Sequence, residues 1–304
     1  MGKFRFRGRR RRRRDGAARQ ERIPLRAVVP NLVTSLAACA GITSIVFSSE
    51  GRYVSALVAL FVACICDGMD GRIARLLKAS SKLGAELDSL ADFVNFGVAP
   101  AMFMFFWLTG GPSHLVVGAD GALVRVPPQV VRLVLGCSLF YALCDCFRLA
   151  RFNTMLEQPT LPYWKHFFTG VPAPGGAWMV LTPAILSIAL GAKGSVPDVA
   201  ASLQDPYFGV AALLFVGSLM ASRLPTISLK SIHIQKRFLA PVMAALLLFV
   251  ALLVSDFWLT LGIVGFLYVL TVPITLFVFL RVRSAYERSQ GQGQCPGEAP
   301  AARD

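Results

Sequence analysis

The feature that most constrains the fold is a series of long apolar segments that recurs along most of the chain. A helix needs about 20 consecutive apolar residues to cross the core of a bilayer. Segments near that length occupy residues 28–48, 53–77, 86–109, 129–151, 172–192, 206–222, 237–255 and 257–281. Only 16% of the 304 residues are charged and 55% are hydrophobic, which is outside the range of soluble domains. The sequence therefore predicts an all-α, polytopic membrane helical bundle with about eight transmembrane helices.

Basic residues are distributed unevenly among the stretches that join these segments. The chain contains 31 Lys and Arg residues, and twelve of them precede Pro30. With the N-terminus inside, twenty-seven lie on the inner side and four on the outer side, namely Arg52, Arg125, Arg132 and Lys193. Lys and Arg accumulate on the cytoplasmic side of membrane proteins. We therefore expect a multi-pass protein of the inner (cytoplasmic) membrane with both termini in the cytoplasm.

The two ends of the chain differ in composition from its apolar middle. We expect residues 1–27 to be a basic, disordered cytoplasmic tail and residues 285–304 to be a second disordered cytoplasmic tail. The membrane-embedded domain between them, 28–284, carries the chemistry. The basic tail is not a secretory signal, because its charged region is long and no cleavage site follows. It either holds anionic lipid headgroups or only fixes the topology, and we expect membrane lipid rather than nucleic acid as its partner.

Four aspartates occur at fixed spacing where the second and third segments reach the inner side. The pattern D-x2-D-G-x2-A-R-x8-G-x3-D-x3-D runs from Asp67 to Asp92. On a helix, Asp67 and Asp70 project from one face, and so do Asp88 and Asp92. The two carboxylate pairs can therefore converge. Converging carboxylates repel one another unless cations neutralise them, and oxygen ligands suit magnesium, manganese or calcium rather than zinc.

Small residues in the same pattern leave room for a ligand beside the acids. Gly71 and Ala74 lie one and two turns from Asp67 and form a bare strip of helix, against which a flat or phosphorylated ligand can come close. Arg75 adds a guanidinium group that can bind phosphate. The pattern thus predicts a phosphate-containing ligand next to a divalent metal site.

The complete spacing pattern resembles the signature of the CDP-alcohol phosphotransferases. These are integral membrane enzymes that move a phosphoalcohol from a CDP-linked donor onto a hydroxyl acceptor. The resemblance implies their fold and two divalent cations, Mg²⁺ or Mn²⁺, bound by Asp67, Asp70, Asp88 and Asp92. It also implies that Asp92, the last aspartate of the motif, accepts the proton of the acceptor hydroxyl.

The same resemblance implies a nucleotide pocket built by the first three helices. The first helix is expected to open at Pro30, and the segment Pro30-Asn-Leu-Val-Thr34 is similar to one that lies beside the nucleotide in this family. It therefore adds Asn31 to Gly71, Ala74 and Arg75 as nucleotide- and pyrophosphate-binding residues.

Three further segments resemble a subfamily, the bacterial CDP-diacylglycerol–serine O-phosphatidyltransferases. They are Asp92-Phe-Val-Asn-Phe-Gly-Val-Ala-Pro100, Arg148-Leu-Ala-Arg-Phe-Asn153 and Phe168-Thr-Gly-Val-Pro-Ala-Pro174. The resemblance implies that CDP-diacylglycerol and L-serine are the substrates, and that phosphatidylserine and CMP are the products. It also implies a homodimer.

Arg148, Arg151 and Asn153 are the candidate acceptor-binding residues. The two arginines are three residues apart and share a helix face, and a guanidinium group is the best fork for the carboxylate of serine. Alternatively, these arginines bind the lipid phosphate or only anchor the helix. Asp145 departs from the subfamily pattern, in which small residues are expected there, and it could pair with Arg148.

Two other functions agree with parts of the sequence. The first is an enzyme of the same family with another acceptor, such as glycerol phosphate, inositol phosphate or choline. The second is a cation transporter, because acids inside membrane segments also serve ion transport. Transport sites lie near the bilayer midplane, whereas the aspartates here lie at the inner ends of their segments, close to Arg72, Arg75 and Lys78. Their placement favours the enzyme.

Overall fold

The structure, a computed structural model, describes residues 25–78, 81–117, 123–155, 167–193, 197–222, 225–227 and 239–292. Ten α-helices make up most of this part of the chain. They are α1 (Leu25–Ser49), α2 (Tyr53–Leu76), α3 (Lys82–Asp92), α4 (Ala99–Thr109), α5 (Pro128–Met155), α6 (Ala173–Lys193), α7 (Pro197–Leu203), α8 (Pro206–Ala221), α9 (Leu239–Ser255) and α10 (Phe257–Gln292).

Long apolar helices confirm the predicted all-α membrane architecture. Five described helical stretches are long and apolar enough to cross a membrane: Val28–Ser49, Tyr53–Leu76, Lys82–Thr109, Pro128–Thr154 and Ala173–Gly191. Three apolar helices are shorter: Pro206–Ala221, Ala240–Ser255 and Phe257–Pro273. These eight stretches coincide with the eight predicted segments, and the chain is a multi-pass membrane protein. Most of both predicted tails lies outside the described residues.

Neighbouring helices pack in pairs around a shared core. α1 lies along α2, α5 along α8, and α6 along α10. α4 and α6 pass through the centre, where Phe103 and Met104 of α4, Tyr141 of α5 and Met179 of α6 are fully buried. Small residues allow close helix contact, as is common in membranes. A Cβ on Gly209 of α8, for example, would collide with the side chain of Leu108.

Apolar side chains also cover the outside of the bundle. α9 packs mainly against α10, and all of its residues from 240 to 252 are exposed. Leu247 and Leu248, for instance, are 67% and 61% exposed. Because lipid tails are as apolar as these side chains, this surface suits a bilayer.

The first helix begins earlier than predicted. Pro30 was expected to open α1, but the helix starts at Leu25 and passes through Pro30. A proline nitrogen cannot donate a backbone hydrogen bond, so the helix continues with one bond fewer. The consequence is that Asn31 and Thr34 lie within a formed helix, with fixed directions toward α2 and α3.

A π-helical turn separates α3 from α4. It spans Phe93–Val98 and starts directly after Asp92. At its end, the backbone N–H of Ala99 donates to the carbonyl of Val94, five residues earlier. Tyr141 of α5 donates from its hydroxyl to the carbonyl of Phe96 at 2.9 Å. Such turns are uncommon and often occur at functional sites.

Two short antiparallel ladders join the helices outside the bundle. β1 (Leu115–Val117) pairs with β2 (Leu123–Arg125) as a local hairpin, with Leu115 opposite Arg125. β3 (Phe167–Thr169) pairs with β4 (Pro225–Ile227), with Phe167 opposite Ile227. The second ladder connects segments that precede α6 and follow α8, at the same end of α5 as Arg148 and Arg151.

Candidate active site

Three of the four motif aspartates meet between α2 and α3. Asp67 and Asp70 project from the last turns of α2, and Asp88 projects from α3. One carboxylate oxygen of each lies within 4.8 Å of those of the other two. Asp70 is buried, and Asp67 and Asp88 are half-buried. Oxygen atoms at this separation can share a hard divalent cation.

The fourth aspartate, Asp92, lies one turn deeper and contacts Asp67. Their side chains are within hydrogen-bonding contact of each other. Asp67 Oδ1 is buried and has no hydrogen-bond partner in the part of the chain that the structure describes. Four carboxylates arranged in this way repel one another, and an unpartnered buried oxygen requires a cation or donor. The donor set therefore fits the predicted divalent cations.

Asp70 is held in place by the first helix. Thr34 Oγ1 donates to Asp70 Oδ2 at 2.5 Å and lies 3.1 Å from the carbonyl oxygen of Pro30. The backbone N–H of Gly71 also contacts Asp70 Oδ1. Thr34 was not among the predicted site residues, although its position three residues after Asn31 places both side chains on one helix face. Bonds of this kind orient metal ligands.

A cavity of about 360 Å³ opens beside these acids, between α1, α2 and α3. It contains all four residues predicted to bind the nucleotide and pyrophosphate, together with two of the aspartates. Its lining is Pro30, Asn31, Thr34, Asp70, Gly71, Ala74, Arg75, Ser81, Gly84, Ala85 and Asp88. The structure thus brings the predicted nucleotide residues together next to the predicted metal ligands.

The two motif glycines in the cavity have different roles. At Gly71, a Cβ would meet no atom within 4 Å, so the helix surface there is open as predicted. At Gly84, a Cβ would meet Asn31 Oδ1 at 2.9 Å and Ser81 Oγ at 3.1 Å. Ser81 caps α3 by accepting a hydrogen bond from the Gly84 N–H at 3.0 Å. Gly84 therefore permits the close approach of α1 to the start of α3.

The three predicted acceptor residues point to different places. Arg148 donates from Nε to the carbonyl of Val171 at 2.6 Å. Arg151 donates to the carbonyls of Ala221 and Ser222, both at 2.9 Å, at the C-terminal end of α8.

Asn153 lies apart from both arginines. It donates from Nδ2 to Ser89 Oγ at 3.1 Å. Of the three predicted acceptor residues, Arg148 is the one whose charge acts on the Asp92 carboxylate.

Asp145 and Arg148, a pair that the sequence left open, form no salt bridge in the described part of the chain, although the charge of Arg148 attracts the carboxylate. Asp145 is fully buried, and both its carboxylate oxygens lack a hydrogen-bond partner among the described residues. Gly97 in the π-helical turn lies against this side chain, since a Cβ there would meet Asp145 Oδ2 at 2.7 Å. Both charged groups lie near Asp92. A buried acid and a cation therefore flank the same motif aspartate.

Comparison with known proteins establishes the family of this chain. The family model described as CDP-alcohol phosphatidyltransferase matches residues 27–216, which include every residue of the site described above except Ser222 and Ala221. The chain belongs to the CDP-alcohol phosphatidyltransferase family. The predicted family, and with it the class of enzyme, is confirmed.

Three curated proteins similar to this chain share one name. A CDP-diacylglycerol–serine O-phosphatidyltransferase of Mycobacterium leprae (strain TN) is 32% identical over 250 residues, which cover 82% of this chain and 74% of that protein. A protein of the same name from Mycobacterium tuberculosis (strain ATCC 25618 / H37Rv) is 39% identical over 166 residues, or 54% of this chain and 51% of the relative. One from Helicobacter pylori (strain J99 / ATCC 700824) is 34% identical, covering 52% and 57%. The chain thus spans about half the length of the last two relatives.

Proposed function

We propose that this protein transfers the phosphatidyl group of CDP-diacylglycerol to the hydroxyl of L-serine, which yields phosphatidylserine and CMP. The observation that carries the proposal is the aspartate cluster of Asp67, Asp70 and Asp88 beside a 360 Å³ cavity. The names of the relatives from Mycobacterium and Helicobacter support serine as the acceptor.

The cavity between α1, α2 and α3 accommodates the nucleotide end of the donor. Arg75 supplies a cation for the pyrophosphate, and Asn31 supplies amide donors and acceptors. Gly71 and Ala74 leave the surface of α2 open, so that the donor can lie against the backbone. The diacylglycerol end then extends along the apolar bundle into the membrane.

Asp67, Asp70, Asp88 and Asp92 would hold two divalent cations, Mg²⁺ or Mn²⁺. When bound, these ions supply charge that neutralises the pyrophosphate and the leaving CMP. Thr34 keeps the Asp70 carboxylate in position from the first helix. The contact between Asp67 and Asp92 links the ligand set to the deeper side of the site.

Asp92 acts as the general base in the transfer step. A serine hydroxyl is a weak nucleophile at neutral pH, so a carboxylate must accept its proton. The serine oxygen forms a bond to the phosphorus next to diacylglycerol, and the bond from that phosphorus to the CMP oxygen breaks. The proton moves to Asp92, and CMP leaves with the electron pair of the broken bond.

Arg148 binds the carboxylate of the acceptor in this proposal. Its Nε is fixed on the carbonyl of Val171, which orients the guanidinium group near Asp92. Arg151 and Asn153 support the pocket from α8 and from Ser89 of α3. Their bonds agree with the anchoring role that the sequence left open for the arginines.

The proposed orientation places the reaction in the cytoplasm. The excess of Lys and Arg on the side that carries the aspartates supports an inner-membrane protein with both termini and the active site inside. CDP-linked donors and divalent cations are available there. A homodimer is part of the same proposal and rests on resemblance to the family.

An acceptor panel tests the proposed function. Purified full-length protein is supplied with CDP-diacylglycerol, Mg²⁺ or Mn²⁺, and either L-serine, glycerol 3-phosphate, inositol phosphate or choline, and release of CMP is measured. We expect release with serine. Release with another acceptor alone would reassign the substrate within the family, and no release with any of the four acceptors would contradict the proposed reaction.

A further inference from the structure

Asp145 is a buried acid that the proposed reaction leaves without a role. It lies on α5, is 0% exposed, and neither of its carboxylate oxygens has a hydrogen-bond partner in the described part of the chain. A buried charge without a partner is strongly unfavourable. Asp145 therefore suits a carboxylate that pairs with a charged group of a bound ligand.

The charged neighbour of Asp145 on the same helix is bound elsewhere. Arg148 lies one turn further along α5, and its Nε donates to the carbonyl of Val171. The hydrogen bonds of the described residues do not engage its two terminal nitrogens. A buried anion and a half-buried cation thus lie on adjacent turns and attract each other, but they form no salt bridge in the described residues, and both are within charge–charge range of Asp92.

We propose that Asp145 binds the ammonium group of the acceptor while Arg148 binds its carboxylate, so that the pair selects a zwitterionic amino alcohol. This inference rests on the proposed function. It assigns Asp145, which departs from the subfamily pattern, as a specificity residue for the acceptor of this chain.

The spacing of the two groups suits a single amino acid. Three residues along an α-helix correspond to a rise of about 4.5 Å. The ammonium and carboxylate of an α-amino acid are attached to one carbon, so they can contact groups on successive turns while the side-chain hydroxyl faces Asp92. Arg148 is more exposed than Asp145. In this proposal the acceptor therefore enters past Arg148 with its ammonium group first.

Gly97 preserves the space next to this carboxylate. It belongs to the π-helical turn, and a Cβ there would meet Asp145 Oδ2 at 2.7 Å. A side chain at that position would have to displace the carboxylate. The π-helical turn that follows Asp92 therefore packs its backbone against the Asp145 carboxylate and limits where Oδ2 can lie.

The decisive experiment is steady-state kinetics of Asp145→Asn in the purified full-length protein, with L-serine and CDP-diacylglycerol varied in turn. We expect the KM for serine to rise at least about tenfold, since a hydrogen bond to a charged group is lost. The KM for CDP-diacylglycerol should stay within about twofold. Ser138→Ala is the matched control, because Ser138 is a buried, unpartnered polar residue on α5; its serine KM should not change.

An acceptor analogue separates ammonium binding from a general packing effect. 3-Hydroxypropionate has the hydroxyl and carboxylate of serine but no ammonium group. We expect its inhibition constant against serine to be the same in the wild-type protein and in Asp145→Asn, because 3-hydroxypropionate never makes the contact that the substitution removes. If Asp145→Asn does not fold, Asp145→Glu retains the charge, and we expect serine KM to change more than the KM for the donor.

Three results would overturn the inference. They are an unchanged serine KM in Asp145→Asn, an equal rise in both Michaelis constants, or a shift only in the Mg²⁺ concentration needed for half-maximal rate. Failure of the proposed function looks different. In that case neither the wild-type protein nor any variant at position 145 releases CMP with serine.

Discussion

Thr34 Oγ1 donates a hydrogen bond to Asp70 Oδ2 at 2.5 Å, between residues 36 positions apart in the sequence. The bond joins the first helix to the acidic motif on the second. It fixes one carboxylate of the cluster from outside the motif itself. The position of α1 and the geometry of the metal ligands are therefore coupled.

This coupling predicts that Thr34→Val weakens metal use while the fold is retained. The variant keeps the side-chain shape but removes the hydroxyl that orients Asp70. We expect activity at limiting Mg²⁺ to fall by about 10- to 100-fold, with partial recovery at high Mg²⁺. Ser35→Ala is the control, because the Ser35 hydroxyl donates to the Asn31 carbonyl of its own helix and has no other partner among the described residues. Equal Mg²⁺ dependence in both variants would contradict the coupling.

Asp67→Asn and Asp88→Asn should each abolish turnover. Both side chains belong to the group of carboxylate oxygens that lie within 4.8 Å of one another, and the neutral amide is a poorer ligand for a hard cation. Release of CMP is the measurement, and elution as a single peak in detergent shows that the variant is folded. Substantial activity in either variant would remove the two-cation interpretation.

Gly71 and Gly68 offer a matched test of the nucleotide cavity. A Cβ at either position would meet no atom within 4 Å, but only Gly71 is part of the cavity lining. We expect Gly71→Leu to raise the KM for CDP-diacylglycerol by about tenfold, because its side chain fills the space for the donor. Gly68→Leu should leave that constant nearly unchanged. The same effect at both positions would argue against this location for the nucleotide.

Arg151→Ala should affect stability more than acceptor binding. Its guanidinium group binds the carbonyls of Ala221 and Ser222, where α8 ends. Loss of these bonds should lower the free energy of unfolding by about 1 to 3 kcal/mol and thus lower the Tm in detergent. Arg132→Ala, at an exposed position of the same helix, is the control. A large increase in serine KM at unchanged Tm would restore Arg151 to the acceptor site.

Cysteine labelling tests the orientation of the bundle. In a variant without the native cysteines, Ser113→Cys should react with a membrane-impermeant reagent added from outside, and Lys82→Cys should react only after permeabilisation. Both positions are exposed and lie at opposite ends of the stretch Lys82–Thr109 or just beyond it. The reverse pattern would place the aspartates on the outer side.

The parts of this site that could be predicted from the sequence are those set by helix periodicity. Asp67 and Asp70 share a face because they are three residues apart, and Gly71, Ala74 and Arg75 follow on the same helix. Once α2 and α3 were recognised as neighbours, the convergence of their acids followed from spacing alone. The apolar segments likewise determined the helices, because their lengths match the bilayer.

The parts that could not be predicted depend on contacts between distant segments. Arg151 binds backbone carbonyls at the end of α8, and backbone acceptors leave no signal in a sequence. Thr34 was recognisable as polar, but its partner depended on how α1 packs against α2. Pro30 was misplaced because a helix can pass through a proline when packing compensates for the missing bond. Asp145 and Arg148 attract each other but form no salt bridge in the described residues, and the direction of the Arg148 side chain toward the Val171 carbonyl could not be read from the sequence.

The π-helical turn at Phe93–Val98 has a consequence for how this gene can change. The turn contains more residues than a regular α-helix would use for the same advance, so a single-codon deletion there could be absorbed as ordinary helix. Each residue of an α-helix corresponds to a rotation of about 100°. Because the wide turn completes its rotation with one extra residue, such a deletion would leave Asp88 and Asp92 near their present direction, whereas a deletion in the regular part of α4, which has no spare residue, would turn them by this angle relative to the rest of the span. In this segment the loss of one residue is therefore compatible with the direction of the two carboxylates, while in the regular helix on either side it is not.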